Sequence, residues 1–250
     1  MSRSAWLTAA SGWRGEVVVH GHWGRPVLVF PSESGRAGDM AAHGMVAALQ
    51  PMLDAGTFKL YCVDSADSLT WSDQSQSLED QARGHDAYER WVLDQVVPFV
   101  HDDVNGVTPI TTMGCSLGAF HAANLALRHA HVFPRALCMS GSYDPSQWDG
   151  WGERGDAAYF HNPLDYVPHL SGDHLDWLRR TVHLVLVVGQ GAFEVDPTRA
   201  LPSTRALAHA LAERGIPHDL DVWGHAVPHD WLSWQRQAAH HLPWLVASTG

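Results

Sequence analysis

The stretch that most constrains this chain is Gly114-Cys115-Ser116-Leu117-Gly118. The apolar run before it, 109–113, reads as a short buried strand, and the Ala- and Leu-rich run after it, 119–129, reads as a helix. A glycine-x-serine-x-glycine turn between a strand and a helix is a nucleophile elbow, with the serine hydroxyl lifted out at the strand end. The turn is so tight that a side chain two positions either side of the serine would clash, and glycine at 114 and 118 removes that conflict. The helix start also brings backbone N–H groups beside the serine and favours negative charge there. The competing reading is an ordinary glycine-rich turn with a surface serine.

The rest of the chain alternates β-branched runs with helical ones. Residues 16–20 and 25–30 are apolar runs separated by Gly21-His22-Trp23-Gly24, the pattern of a hairpin. Residues 39–50 place Met40, Met45, Val46 and Leu49 at helical spacing. Residues 58–63 read as a strand ending in a long loop. A long helix follows over 78–100, bent near Pro98. After the elbow come a strand at 135–140, an irregular stretch at 143–180 and a strand at 181–188. A helix at 198–214, a last strand at 218–223 and a closing helix at 231–242 complete the chain. Strands alternating with long helical runs predict an α/β fold, with a mainly parallel sheet covered by helices on both faces. The leading hairpin would supply an antiparallel N-terminal edge. No repeat or linker divides the sequence, so one domain spanning 1–250 is expected. The aromatic-rich stretch 143–180 would then be an insertion packed over the sheet.

Composition narrows the function. The formal charge of −11 argues against nucleic acid or an anionic membrane as partner, since phosphate binding needs clustered Lys and Arg. The N-terminus lacks the apolar core of a signal peptide, and no apolar run is long enough to span a bilayer. A cytoplasmic location is therefore the expectation. The three cysteines, Cys62, Cys115 and Cys138, make no disulfide framework, and two of them lie in strand-like runs as buried thiols. The 18 histidines are scattered, with no H-E-x-x-H and no paired C-x-x-C, so neither a metal nor another cofactor is expected.

A serine hydroxyl needs a base within hydrogen-bond reach, and the base needs an orienting carboxylate. In an α/β-hydrolase arrangement these follow in the order serine, acid, histidine, on loops at strand ends. The acid belongs after the 181–188 strand, where Glu194 and Asp196 compete. Glu194 is favoured, because Asp196 precedes Pro197 and could instead cap the next helix. The base belongs after the last strand, where His229 is favoured over His225. An oxyanion needs two N–H donors. Leu117 is one, and Glu33, in the loop after the 25–30 strand, is the candidate for the other.

At this point the chain resembles the esterase family of α/β-hydrolases that includes the esterase D-type enzymes and the mycolyltransferases. The segments that carry the resemblance are Gly114 to Ala119, Tyr159-Phe160-His161-Asn162-Pro163, and His229-Asp230-Trp231 with Trp234. It extends over roughly residues 15 to 245 and implies His229 as the catalytic histidine. A departure is the loop at 31–36, which lacks the His-Gly or Asp-Gly dipeptide often seen there. The expectation is a serine hydrolase that cleaves a small-molecule carboxylic ester through an acyl-enzyme, using Ser116, His229 and Glu194. Trp148 and Trp151 are the candidate pocket walls. An acyltransferase using the same residues and a non-catalytic binding protein of the same fold are the alternatives. A homo-oligomer is left open.

Overall fold

The computed structural model describes residues 2–148 and 150–248. Its strands are β1 (Ser2–Thr8), β2 (Arg14–His20), β3 (Arg25–Phe30), β4 (Phe58–Val63), β5 (Thr111–Cys115), β6 (Arg135–Met139), β7 (His183–Val188) and β8 (His218–Val222). They form one 8-stranded sheet in the order β1-β2-β4-β3-β5-β6-β7-β8. From β4 to β8 every neighbour is parallel, while β1 and β2 are antiparallel additions at one edge.

The helices between strands are α1 (Asp39–Ala42) and α2 (Met45–Asp54), then α3 (Leu78–Trp91) and α4 (Val97–Asp103), then α5 (Leu117–Arg128). Three short ones, α6 (Asp156–Phe160), α7 (Pro163–Tyr166) and α8 (Gly172–Thr181), connect β6 to β7. They are followed by α9 (Ala200–Glu213) and α10 (Trp231–Ala247). Strand β3 explains why both faces must be covered. Val27 and Val29 point into a core closed by α2 and α10, whereas Leu28 and Phe30 point into the larger core closed by α3 and α5. Alternate residues leave opposite faces of a strand, so an unbroken apolar run signals burial on both sides.

The structure corrects the expected hairpin. Strands β2 and β3 do not pair. Strand β4 lies between them, antiparallel to β2 and parallel to β3. All of β3 beyond Arg25 is buried, as is all of β4, so each needs a neighbour on both edges and neither can take the rim. The true hairpin is β1 with β2, whose exposed first strand carries little apolar signal.

The helix expected at 39–50 divides into α1 and α2. The helix expected at 78–100 breaks earlier than Pro98, in a π-helical turn at Val92–Val96, with Pro98 in the first turn of α4. A proline ring cannot accept the regular carbonyl alignment of the preceding turn, and a π bulge is one recognised way to absorb that. The irregular 143–180 region joins the larger core through Tyr143, Tyr166, Val167, Leu175 and Leu178. No helix among the described residues is long and apolar enough to cross a membrane.

Candidate active site

Ser116 sits between β5 and α5 with φ 55° and ψ −124°, a conformation that costs a non-glycine residue energy and needs its surroundings to hold it. The glycines supply the room. A Cβ on Gly118 would lie 2.2 Å from the Pro31 carbonyl oxygen, and one on Gly114 would lie 2.0 Å from the Gly118 carbonyl oxygen. Both distances are far inside contact, so the elbow tolerates no larger residue at either place.

Three loops at the carboxyl ends of the parallel strands bring the candidate residues together. Ser116 Oγ lies 3.0 Å from His229 Nε2, and His229 Nδ1 lies 3.3 Å from Glu194 Oε2. Glu194 is fully buried. Its Oε1 accepts from the Ser140 hydroxyl at 2.7 Å and from the Gly189 N–H at 3.2 Å, which leaves Oε2 for the imidazole. The histidine loop is tied to the acid loop by two backbone bonds, Gly191 N–H to the Val227 carbonyl and His229 N–H to the Ala192 carbonyl, each 2.9 Å. The His229 ring stands edge-on against Trp234, with centroids 4.9 Å apart. The two rival positions lie outside this array. Asp196 is exposed, and His225 is exposed with Nδ1 3.3 Å from the Gln190 carbonyl.

A cavity of about 330 Å³ opens beside Ser116, and its walls include Glu33, Trp71, Gln74, Leu117, Trp148 and Arg199. Leu117 is the first residue of α5, where helical N–H groups have no intrahelical partner. Glu33 reaches the cavity, and its side chain accepts from the Ser72 hydroxyl at 2.6 Å. Trp148 packs edge-on against Trp71 and Phe120 and donates from Nε1 to Ser142 Oγ. Trp151 is different. It does not line this cavity, and it lies over the 74–78 loop with Nε1 donating to the Gln74 carbonyl. The residue is more than half exposed, so the structure places Trp151 at the surface and outside this cavity's wall.

Several supporting residues escaped the sequence reading. Asp64 and Asp67, just past β4, hold the loop that carries Glu33. Asp67 accepts from Ser34 N–H at 3.1 Å, and Asp64 accepts from Ala37 N–H at 2.9 Å and Glu16 N–H at 3.0 Å. The available signal was two acids in a strand-end loop beside apolar residues. Ser140, the hydroxyl partner of Glu194, follows β6 with no local pattern to mark its role. Trp71 and Arg199 had no distinguishing pattern. Cys115, next to the serine, is fully buried, and burial pushes its thiol well above the ordinary cysteine value.

A profile of the family described as "Putative esterase" matches residues 63–245. None of the curated proteins compared by sequence matches the chain. Among solved structures, a ferulic acid esterase superposes with a TM-score of 0.76 at 15% identity, covering 100% of this chain and 98% of that one. The S-formylglutathione hydrolase FrmB of Staphylococcus aureus superposes at 0.75 with 12% identity, covering 98% of each chain. MPT51 (FbpC1) of Mycobacterium tuberculosis superposes at 0.73 with 14% identity, covering 100% of this chain and 99% of that one. At these identities the likenesses speak for a shared α/β-hydrolase fold.

Proposed function

The chain belongs to the esterase family of α/β-hydrolases, whose chemistry is ester hydrolysis or acyl transfer, and from that premise we propose that it hydrolyses a compact carboxylic ester through an acyl-enzyme on Ser116. The observation that carries this reading is the unbroken contact chain from Ser116 Oγ through His229 to the buried Glu194. His229 Nδ1–H donates to Glu194, which fixes the tautomer with the Nε2 lone pair toward the serine. Attack on the ester carbonyl sends the Ser116 proton to Nε2. The carbonyl oxygen becomes an oxyanion, held by the Leu117 N–H and by a second N–H from the 31–34 loop, where Glu33 is the candidate. Collapse expels the alcohol, which takes the proton from His229. A water then gives its proton to Nε2 and attacks the acyl carbonyl; collapse breaks the bond to Ser116 Oγ, which takes the proton back from His229 as the acid leaves. Glu194 stays ionised throughout and offsets the imidazolium charge.

A cavity of about 330 Å³ lies at the lower end of small-molecule sites, and Trp71 and Trp148 give it an apolar wall. The favoured acyl group is therefore short. The test is a series of p-nitrophenyl esters from acetate to octanoate, with the wild type beside Ser116→Ala. The reading expects turnover that declines along the series and vanishes in the variant. Equal turnover in the variant would remove Ser116 from the mechanism. Adding a competing alcohol and measuring the new ester separates hydrolysis from acyl transfer, because both draw on the same intermediate.

A further inference from the structure

Away from Ser116, the face of α3 turned toward α5 and the α6–α7 connection carries a second group of chemistry-bearing side chains. His85 and Glu89 lie four residues apart on α3, which puts them on one face. His161, at the end of α6, completes the set, and one ligand atom from each of the three lies within 4.8 Å of the others. All three are buried, with exposures of 3%, 5% and 0%. Two of their atoms, His85 Nδ1 and Glu89 Oε2, are buried with no hydrogen-bond partner. A single orphaned polar atom is costly in a protein interior, and two within one group of three potential ligands make an arrangement that a shared ligand would satisfy.

We propose that His85, Glu89 and His161 bind a divalent transition-metal ion of the zinc type, which clamps α3 to the connection between β6 and β7. Two imidazoles and one carboxylate, with a fourth position left for water, is a donor set zinc accepts. The outer contacts fit as well. The His161 Nε2–H donates to Asp86 at 2.7 Å, which directs Nδ1 inward to within 3.9 Å of Glu89 Oε2. A ligating histidine usually has its second nitrogen held by a carboxylate in this way. Glu89 Oε1 is held by Arg128 at 2.9 Å and His129 at 3.0 Å, so Oε2 is the oxygen left over. Occupancy replaces one existing contact, from the Asn124 amide to His161 Nδ1 at 3.1 Å. A cavity of about 760 Å³ reaches the outer contacts of the group, with Asp86, Arg128 and His129 in its wall.

The experiment uses the full chain, stripped with chelator and titrated with Co²⁺ while visible absorption is followed. A second group, Asp221, His240 and His241, is a competing surface site. The expected result is a saturable tetrahedral d–d spectrum at one equivalent, displaced by Zn²⁺, and a higher Tm with Zn²⁺ than with chelator. His240→Ala and Ser116→Ala keep the spectrum. Glu89→Gln loses it, and Asp86→Asn, at a partly exposed position, weakens binding by about 10- to 100-fold. If Glu89→Gln fails to fold, Asp86→Asn carries the test alone. The proposal is overturned by a wild type with neither a tetrahedral spectrum nor a Tm shift, which would leave water as the occupant. It is overturned equally by binding lost in His240→Ala, or by binding of wild-type strength in Asp86→Asn.

Discussion

Two buried histidine–carboxylate pairs invite comparison. His229 and Glu194 meet at 3.3 Å with side chains 9% and 0% exposed, and His121 and Asp67 meet at 2.9 Å with side chains 0% and 1% exposed. By distance and burial the second is the closer and more enclosed contact. What separates them is the imidazole's other nitrogen. In His229 it faces the Ser116 hydroxyl beside a cavity, whereas in His121 it is buried with no hydrogen-bond partner and the ring stacks on His85. A histidine–carboxylate pair moves protons only when its far side reaches a group that can give one up and a space where substrate can sit. Without those, the same pair is scaffolding, and here Asp67 spends its other oxygen on Ser34 in the loop bordering the cavity.

That contrast can be broken by substitution. The largest effect belongs to Ser116→Ala, which should lower kcat/KM for a p-nitrophenyl ester by roughly 10⁴-fold or more with Tm unchanged. Glu194→Gln should follow, at about 10³- to 10⁴-fold in kcat, while Asp196→Asn stays within about twofold. The reverse order would move the acid to Asp196. Asp67→Asn acts at a distance, by loosening the 31–35 loop. It should cost about 10- to 100-fold in kcat and lower Tm in a thermal melt, whereas Glu194→Gln changes kcat far more than stability. An Asp67→Asn variant with full activity would detach that pair from the site. The smallest effect is that of the cavity wall. Trp148→Ala should raise KM several-fold, and Trp151→Ala should leave it unchanged.

The parts of this molecule that could be read in advance are those written in consecutive residues. The elbow is one, because its two glycines and its flanking strand and helix adjoin. The His229-Asp230-Trp231 ending is another, with Asp230 capping α10 through Ser233 N–H at 2.8 Å. The order of strands was partly legible. Burial of β3 on both faces can be read from its unbroken apolar run, but its neighbour is chosen by long-range pairing, and β4 arrives from nearly thirty residues further on. Asp67 and Ser140 were illegible for a similar reason. Each acts on a partner in another loop, at Ser34 and Glu194, and neither side of the pair carries a local pattern. The choice between Glu194 and Asp196 depended on which side chain turns inward, a matter of loop conformation. The His85, Glu89 and His161 group leaves only its four-residue spacing on α3 visible in the sequence, since the third member comes from more than seventy residues away.

If Ser116 is the nucleophile and His229 activates it, a covalent probe of serine hydrolases must find the one and depend on the other. The most direct measurement is intact-mass spectrometry of the chain after a fluorophosphonate, followed by peptide mapping, with His229→Ala alongside. The expected result is a single adduct on Ser116 in the wild type, formed far more slowly in His229→Ala. An adduct on another residue, or a rate indifferent to the loss of His229, would contradict it.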